Sequence, residues 1–373
     1  MQGPRPTSAV PVGASKQRPR AMSLRDRFCG TAPALLLHTL PDMPISGFPR
    51  GKVVIPGGTG QVGALAAKHW LALGYEVVVL TRGGASEARV VRWDGKTLDD
   101  AWVKEINGAD VVLNLAGRSV SCRYTEENLA EMLNSRVDST RVVGEAIALA
   151  KNPPKLWMQM STATIYAHRF DAANDEETGI IGGNEEGVPA YWKRSIHIAT
   201  EWERVQNEAN TPHTRKVALR TAMVMSEAGK LATTDNIFAV LSQITRLGLG
   251  GAIGGGKQYV SWIHGSDFVR ACDFILAHEE ITGPINLAAP EPLPHRDFMR
   301  ELREAWGVRV GLPATGWMAS VGSFFMRTDP ELVLKSRRVI PTRLLKAGFV
   351  FEHPTWAETA QEPGCAVSVL VSL

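Results

Sequence analysis

The stretch that most constrains this chain is KVVIPGGTGQVGALAAKHWLALGYEVVVLTR, residues 52–82. An apolar run of strand length meets a glycine-rich turn, a helix-period segment and a second apolar run. Gly57, Gly58, Gly60 and Gly63 give both G-x-x-G-x-x-G and G-x-G-x-x-G spacings. Such a turn uses backbone angles that glycine adopts cheaply and lets a pyrophosphate approach the main chain, while the last glycine lets helix and strand pack closely. Thr59, Gln61 and Val62 complete the loop. A helix starting near Gln61 aims its free N–H groups and the positive end of its dipole at the phosphates. Strand, turn, helix and strand in this order are the context a dinucleotide site requires.

The end of the second strand selects the cofactor. Sites for NAD usually place an acid there, about 20 residues on, to bind the ribose hydroxyls. This chain reads Leu80-Thr81-Arg82-Gly83, with no acid before Glu87. Arg82 suits a 2′-phosphate, so NADP is favoured over NAD; a solvated strand end is the plainer account of the same residue.

Beyond this unit, apolar runs at ARVVRWD, DVVLNLAG, KLWMQMSTATIY and KVALRTAMVM alternate with helix-period segments such as SIHIATEWERVQNEA. Continuous Val/Ile/Leu strands separated by helices mark a parallel sheet covered on both faces. The expected fold is therefore α/β, a Rossmann-type doubly wound parallel sheet with a smaller mixed α/β C-terminal substrate region. Residues 49–230 form the expected NADP-binding domain, and 231–360 the substrate cleft and C-terminal region, with elements returning to the sheet. Residues 361–373 read as a ragged tail. Residues 1–48, with eight prolines among them or just beyond, at Pro49, read as a disordered extension or an over-long start with Met43 near the true beginning.

Seven of the 41 basic residues fall in the first 50 positions against two acids, so the remainder is slightly acidic. The basic balance therefore gives no argument for nucleic-acid binding. Four dispersed cysteines without a C-x-x-C pair point to free thiols in a reducing compartment. No apolar run reaches the roughly 20 residues a bilayer demands, so a cytoplasmic protein with no membrane partner is expected. No metal site is expected: His264 and Asp267 in WIHGSD have no third ligand at useful spacing, and capping of the next helix by Ser266 or Asp267 is the simpler reading. GAIGGGK, residues 251–257, nearly matches a P-loop, but Gln258 replaces the required Ser or Thr.

Asn114-Leu115-Ala116-Gly117 and Ser161-Thr162 close the fourth and fifth strands. With the glycine turn they resemble the extended short-chain dehydrogenase/reductase superfamily. NLAGRSV, SRVDSTR, ATEWE, RLGLGGAIGGGKQYVSWIH, NLAAPEP and VLKSRRVIPTRLLKAGF are similar to an atypical branch of it, the NADP-binding epimerase-like proteins with a C-terminal domain of unknown function. The resemblance spans about residues 52–358. It implies cofactor contacts from the glycine turn, Thr81, Arg82, Leu115, Ala116, Gly117, Glu131, Arg136 and Val224, and it makes a homodimer a common assembly. Arg136 suits a phosphate; an ion pair with Glu131 or Asp138 is the competing account.

Superfamily reductases use a Tyr acid/base and a Lys four residues later. Anchored on Glu203, those positions hold Ser195 and Ala199, a departure that the branch shares. Candidate substitutes are His197, which titrates near neutrality, Tyr166 beyond the fifth strand, and Ser161 at the superfamily's catalytic Ser/Thr position. A surface helix histidine is the plainer account of His197, and a packing aromatic is an equal account of Tyr166. Two functions are open: an NADP-dependent oxidoreductase or epimerase acting on a small polar, sugar-like substrate, or an NADP(H)-binding sensor or scaffold without turnover.

Overall fold

The computed structural model describes residues 50–226, 237–315 and 329–361. The extension at 1–48, the boundary at 230 and residues 362–373 of the tail lie outside the described residues. The strands are β1 (Lys52–Pro56), β2 (Glu76–Thr81), β3 (Arg89–Arg92), β4 (Val111–Asn114), β5 (Leu156–Thr162) and β6 (Arg215–Thr221). Then come β7 (Met223–Met225), β8 (Tyr259–Val260), β9 (Trp262–His264), β10 (Gly283–Leu287) and β11 (Leu293–Pro294). The longer helices are α1 (Gln61–Ala72), α2 (Asp100–Ile106), α3 (Glu126–Leu149), α4 (Lys193–Glu208), α5 (Ile237–Arg246), α6 (Gly265–Ala277) and α7 (His295–Ala305).

Seven strands form one parallel sheet in the order β10-β6-β5-β4-β1-β2-β3. Its first six strands follow the doubly wound order 3-2-1-4-5-6. Val53, Val54, Ile55, Val111, Val112 and Leu113 are fully buried, which is why these strands read as unbroken apolar runs rather than alternating ones. On one face α1 and α6 bring Trp70, Phe268 and Ile275 against the sheet. On the other, Trp102 and Ile106 of α2 and Val142 and Val143 of α3 pack with Trp157. α3 starts where the Thr125 side chain accepts from the Asn128 N–H, 3.2 Å, a capping bond that satisfies an otherwise orphaned donor.

KVALRTAMVM is two strands, not one. The ladders of β6 to both β5 and β10 end at Thr221, so no partner remains in the sheet. Ala222 N–H makes one last bond to Leu287 O, 2.9 Å. The chain then leaves the sheet, and β7 pairs with β9. The capping expected of Ser266 or Asp267 also differs: His264 Nδ1 accepts from the Ser266 N–H. Asp267, fully buried, instead accepts from the N–H groups of Glu352 and His353, 2.9 Å each, and pairs with Arg270. It thereby fastens the C-terminal segment to α6.

That segment closes a further core. Trp356 stacks on Phe298 of α7 with ring centroids 4.0 Å apart and packs edge-on to Phe238 and Trp262. All described residues belong to one compact unit. Among them no helix is long and apolar enough to cross a membrane, and no group of three His, Cys, Asp or Glu is placed to hold a metal ion.

Candidate active site

The glycine turn sits where β1, β2 and β4 end together. Gly57 has φ of 78°, donates its N–H to Leu80 O at 2.8 Å, and would drive a Cβ to 2.8 Å from the Ala116 backbone. A Cβ on Gly63 would lie 2.5 Å from Gly58 Cα, and one on Gly58 2.8 Å from the Val79 side chain. These three glycines are thus required by close approach within the fold. Gly60 is not: it is exposed, has φ of −71°, and a Cβ there would meet only Gly57 O, at 3.5 Å. It precedes α1 without a side-chain cap, leaving the helix N–H groups open to an anion. Gln61 Nε2 donates to Ser226 Oγ, 2.9 Å, and Val62 packs on the core. Thr59 Oγ1 and Thr81 Oγ1 are 3.0 Å apart.

Arg82 is exposed at the end of β2. Arg92, the register partner of Thr81 on β3, donates to the Arg82 carbonyl. Neither guanidinium is ion-paired to a carboxylate among the described residues, so the rim carries two arginines where one was expected. Arg92 was hidden from sequence reading because its place depends on the β2–β3 register.

A cavity of about 390 Å³ opens beyond the ends of β5 and β6, walled by Arg136 of α3, Ser195, Ala199 and Trp202 of α4, and Glu331, Lys335 and Arg337. Ser161 lies on this wall, 2% exposed, but its hydroxyl donates to Glu203 Oε1 at 2.5 Å. Arg220 holds the same carboxylate through Nε at 2.9 Å and Nη2 at 2.8 Å, and reaches the Tyr166 hydroxyl at 3.0 Å. Tyr166 in turn donates to Asn286 Oδ1, 2.9 Å. Ser161 in this rotamer can accept from a ligand but has no proton to give it.

Two expected catalytic residues lie off the cavity wall. Tyr166 is 2% exposed, does not line the cavity, and has its hydroxyl tied to Arg220 and Asn286; it braces the sheet. Burial also raises its pKa, against the opposing pull of Arg220. His197 lies on the solvent face of α4, because the helix turns its neighbours Ile196 and Ile198 inward. Among the expected cofactor contacts, Glu131 is exposed and paired with Arg118. Val224 pairs with Ile263 and packs on the sheet-face core, off the cavity wall.

Arg136 does not form the competing ion pair, since Glu131 is on Arg118 and Asp138 is 3.8 Å from Arg141. Its guanidinium is buried against Trp202, 4.8 Å from the ring centroid, and among the described residues bonds only Met132 O, 3.0 Å. Desolvation lowers its pKa to about 10. Gly117 abuts it: a Cβ there would be 3.2 Å from Arg136 Cζ. Gly117 directly follows Leu115 and Ala116, whose backbone the turn closely approaches, so Arg136 abuts that segment and also lines the cavity.

A family model described as NAD dependent epimerase/dehydratase family matches residues 53–288, and one described as domain of unknown function (DUF1731) matches residues 315–362. The chain belongs to the epimerase/dehydratase family. The human epimerase family protein SDR39U1 is 28% identical over 316 residues, covering 83% of this chain and 99% of the relative. Epimerase family protein ML0860 of Mycobacterium leprae is 29% identical over 313 residues, covering 82% and 93%. A crystal structure of human SDR39U1 (isoform 2) with NADPH superposes with a TM-score of 0.71 at 26% identity, covering 83% of this chain and 98% of that one.

Within this family member the cavity holds polar groups that sequence reading missed. They come from the C-terminal segment, whose VLKSRRV motif is visible in the sequence while its docking on the sheet is not. Ser195 Oγ donates to Glu331 Oε2, 2.6 Å; Lys335 Nζ is 3.7 Å from Glu331 Oε1 and bonds Thr164 O at 2.9 Å. Glu331 Oε1 has no hydrogen-bond donor among the described residues. Burial pushes the Glu331 carboxyl up and the Lys335 amine down to about 8.

His295 also faces the cavity, 4% exposed, and burial lowers it to about 4. An unfolded imidazole protonates near pH 6.5. This contribution to stability is therefore present above about pH 6.5 and is lost as pH falls through that value toward 4. Urea unfolding should show a loss of about 2–3 kcal/mol over this window, made shallower by His295→Asn. An unchanged slope in the variant contradicts the assignment.

Proposed function

We propose that the protein is an NADP(H)-dependent oxidoreductase or epimerase whose small polar, sugar-like substrate occupies the cavity beside the glycine turn. The observation that carries this reading is Gly60. The fold gives it no steric reason to be glycine, whereas a diphosphate seated on the α1 N–H groups does. The residues fit such a cofactor: the turn is bare at Gly60, and Arg82 with Arg92 rims the end of β2 without an acid. The NADPH in the related human structure supports the same choice. A bound nicotinamide would supply or accept a hydride at the cavity mouth, and Arg136 would hold polar groups of the ligand from the space left beside Ala199.

The absence of Tyr and Lys at Ser195 and Ala199 favours the second reading, a sensor without turnover. Mixing the protein with NADPH and a panel of aldehydes and sugar nucleotides separates the two: loss of reduced-cofactor absorbance supports the first, and product analysis detects redox-neutral epimerisation. Binding without any product favours the sensor.

Arg82→Ala tests the cofactor assignment. Loss of a charge-assisted bond to a 2′-phosphate is worth about 1.5–3 kcal/mol, which is roughly 10- to 150-fold in the NADPH Kd. The NADH Kd should hardly change. Equal weakening of both contradicts a 2′-phosphate contact.

A further inference from the structure

We propose that Ser195, Glu331 and Lys335 form the proton-transfer group of this site, with Ser195 touching the substrate oxygen and the C-terminal pair taking up its proton. The proposal rests on the function argued above and adds the acid/base that the missing Tyr and Lys leave open. Ser195 and Ala199 both line the cavity, so the position that lacks the Tyr still faces the ligand. Its hydroxyl is already committed as a donor to Glu331 Oε2 at 2.6 Å. Ser161 has no comparable outlet, because its acceptor Glu203 is held at both oxygens by Arg220.

Glu331 is 1% exposed, yet among the described residues Oε1 has no donor, and the Lys335 ammonium lies 3.7 Å from it. A buried carboxyl left half satisfied is costly unless it serves a purpose. The groups around the pair are Asp329, whose Oδ1 accepts from the Glu331 N–H, Arg337, whose guanidinium bonds the Glu331 and Leu332 carbonyls and Thr164 Oγ1, and Tyr124 on the cavity wall. The Glu185 carboxylate also acts on Lys335 electrostatically, favouring its charged form. Burial moves both members of the pair toward neutrality, and a carboxylate whose pKa is raised is a stronger proton acceptor than an exposed one.

In the oxidation direction the substrate hydroxyl gives its proton to Ser195 Oγ as Ser195 passes its own to Glu331 Oε2. The C–H electron pair leaves with its hydrogen to the oxidised cofactor, and the C–O bond becomes double. The substrate loses two electrons and two hydrogens; the cofactor gains the hydride and Glu331 the proton. Reduction reverses each transfer.

The test needs no substrate. Oxidised nicotinamide carries a positive charge that the reduced ring lacks, so seating it beside Glu331 favours the carboxylate and expels a proton. Calorimetric titration with NADP+ and with NADPH, each in two buffers of different ionisation enthalpy at every step of a pH series, counts the protons released. NADP+ should release more than NADPH, and Glu331→Gln should abolish the difference. Should that variant not fold, Ser195→Ala strips a hydrogen bond from the carboxylate and should move the difference to higher pH. Equal proton counts in the native protein, a difference that survives Glu331→Gln, or a pH window unmoved by Ser195→Ala overturns the proposal. Absence of binding by either dinucleotide overturns the function itself and is read from the lack of heat rather than from proton counts.

Discussion

Glu203→Ala should lower the unfolding free energy by about 3–5 kcal/mol, the range for breaking a buried ion pair from one side. The Arg220 and Glu203 side chains are only 11% and 17% exposed, and the substitution strands the guanidinium with Tyr166 as its remaining hydrogen-bond partner. Desolvation alone would lower the Arg220 pKa; the Glu203 carboxylate outweighs it and raises the value. Adding Arg220→Met to Glu203→Ala should restore much of the loss, since an apolar replacement for both partners removes the unpaired charge. Denaturant midpoints of the single and double variants measure this. A loss under about 1 kcal/mol for the single variant would show the network to be dispensable. Tyr166 belongs to the same network, so Tyr166→Phe should register in stability rather than in chemistry.

Gly57→Ala and Gly60→Ala should differ sharply. Alanine at 57 must adopt a left-handed φ and place its Cβ 2.8 Å from the Ala116 main chain. The conformational penalty is roughly 1–2 kcal/mol and the overpacking roughly 1–3, for a loss of about 2–5 kcal/mol in stability. Alanine at 60 has an ordinary φ and room in the fold, so stability should hold or rise slightly. Its methyl group projects where a diphosphate would approach, and NADPH affinity should fall at least tenfold, about 1.4 kcal/mol. Thermal unfolding with and without NADPH reads both effects. Unchanged affinity in a folded Gly60→Ala protein would leave that glycine without a ligand-based reason.

The parallel sheet was legible because β1, β2 and β4 are buried on both faces, which writes Val, Ile and Leu continuously into the sequence. The glycine turn was legible for a local reason: spacing and backbone need coincide within seven residues. The break between β6 and β7 was not, since it arises where two neighbouring ladders end. His197 and Tyr166 lie off the cavity wall for opposite reasons. The first carries suitable chemistry on the solvent side of α4, and the second sits near the ends of the strands with its hydroxyl spent on Arg220 and Asn286. Arg92, Glu331 and Lys335 reach the site through register and through a segment more than a hundred residues beyond α4, which no local pattern encodes.

The most direct measurement is a crystal structure with NADPH bound. The diphosphate should rest on the turn at Gly60, the 2′-phosphate beside Arg82, and nicotinamide C4 inside the cavity, nearer Ser195 than Tyr166 or His197. A ring directed to solvent, or an adenosine ribose bound away from Arg82, would contradict the account.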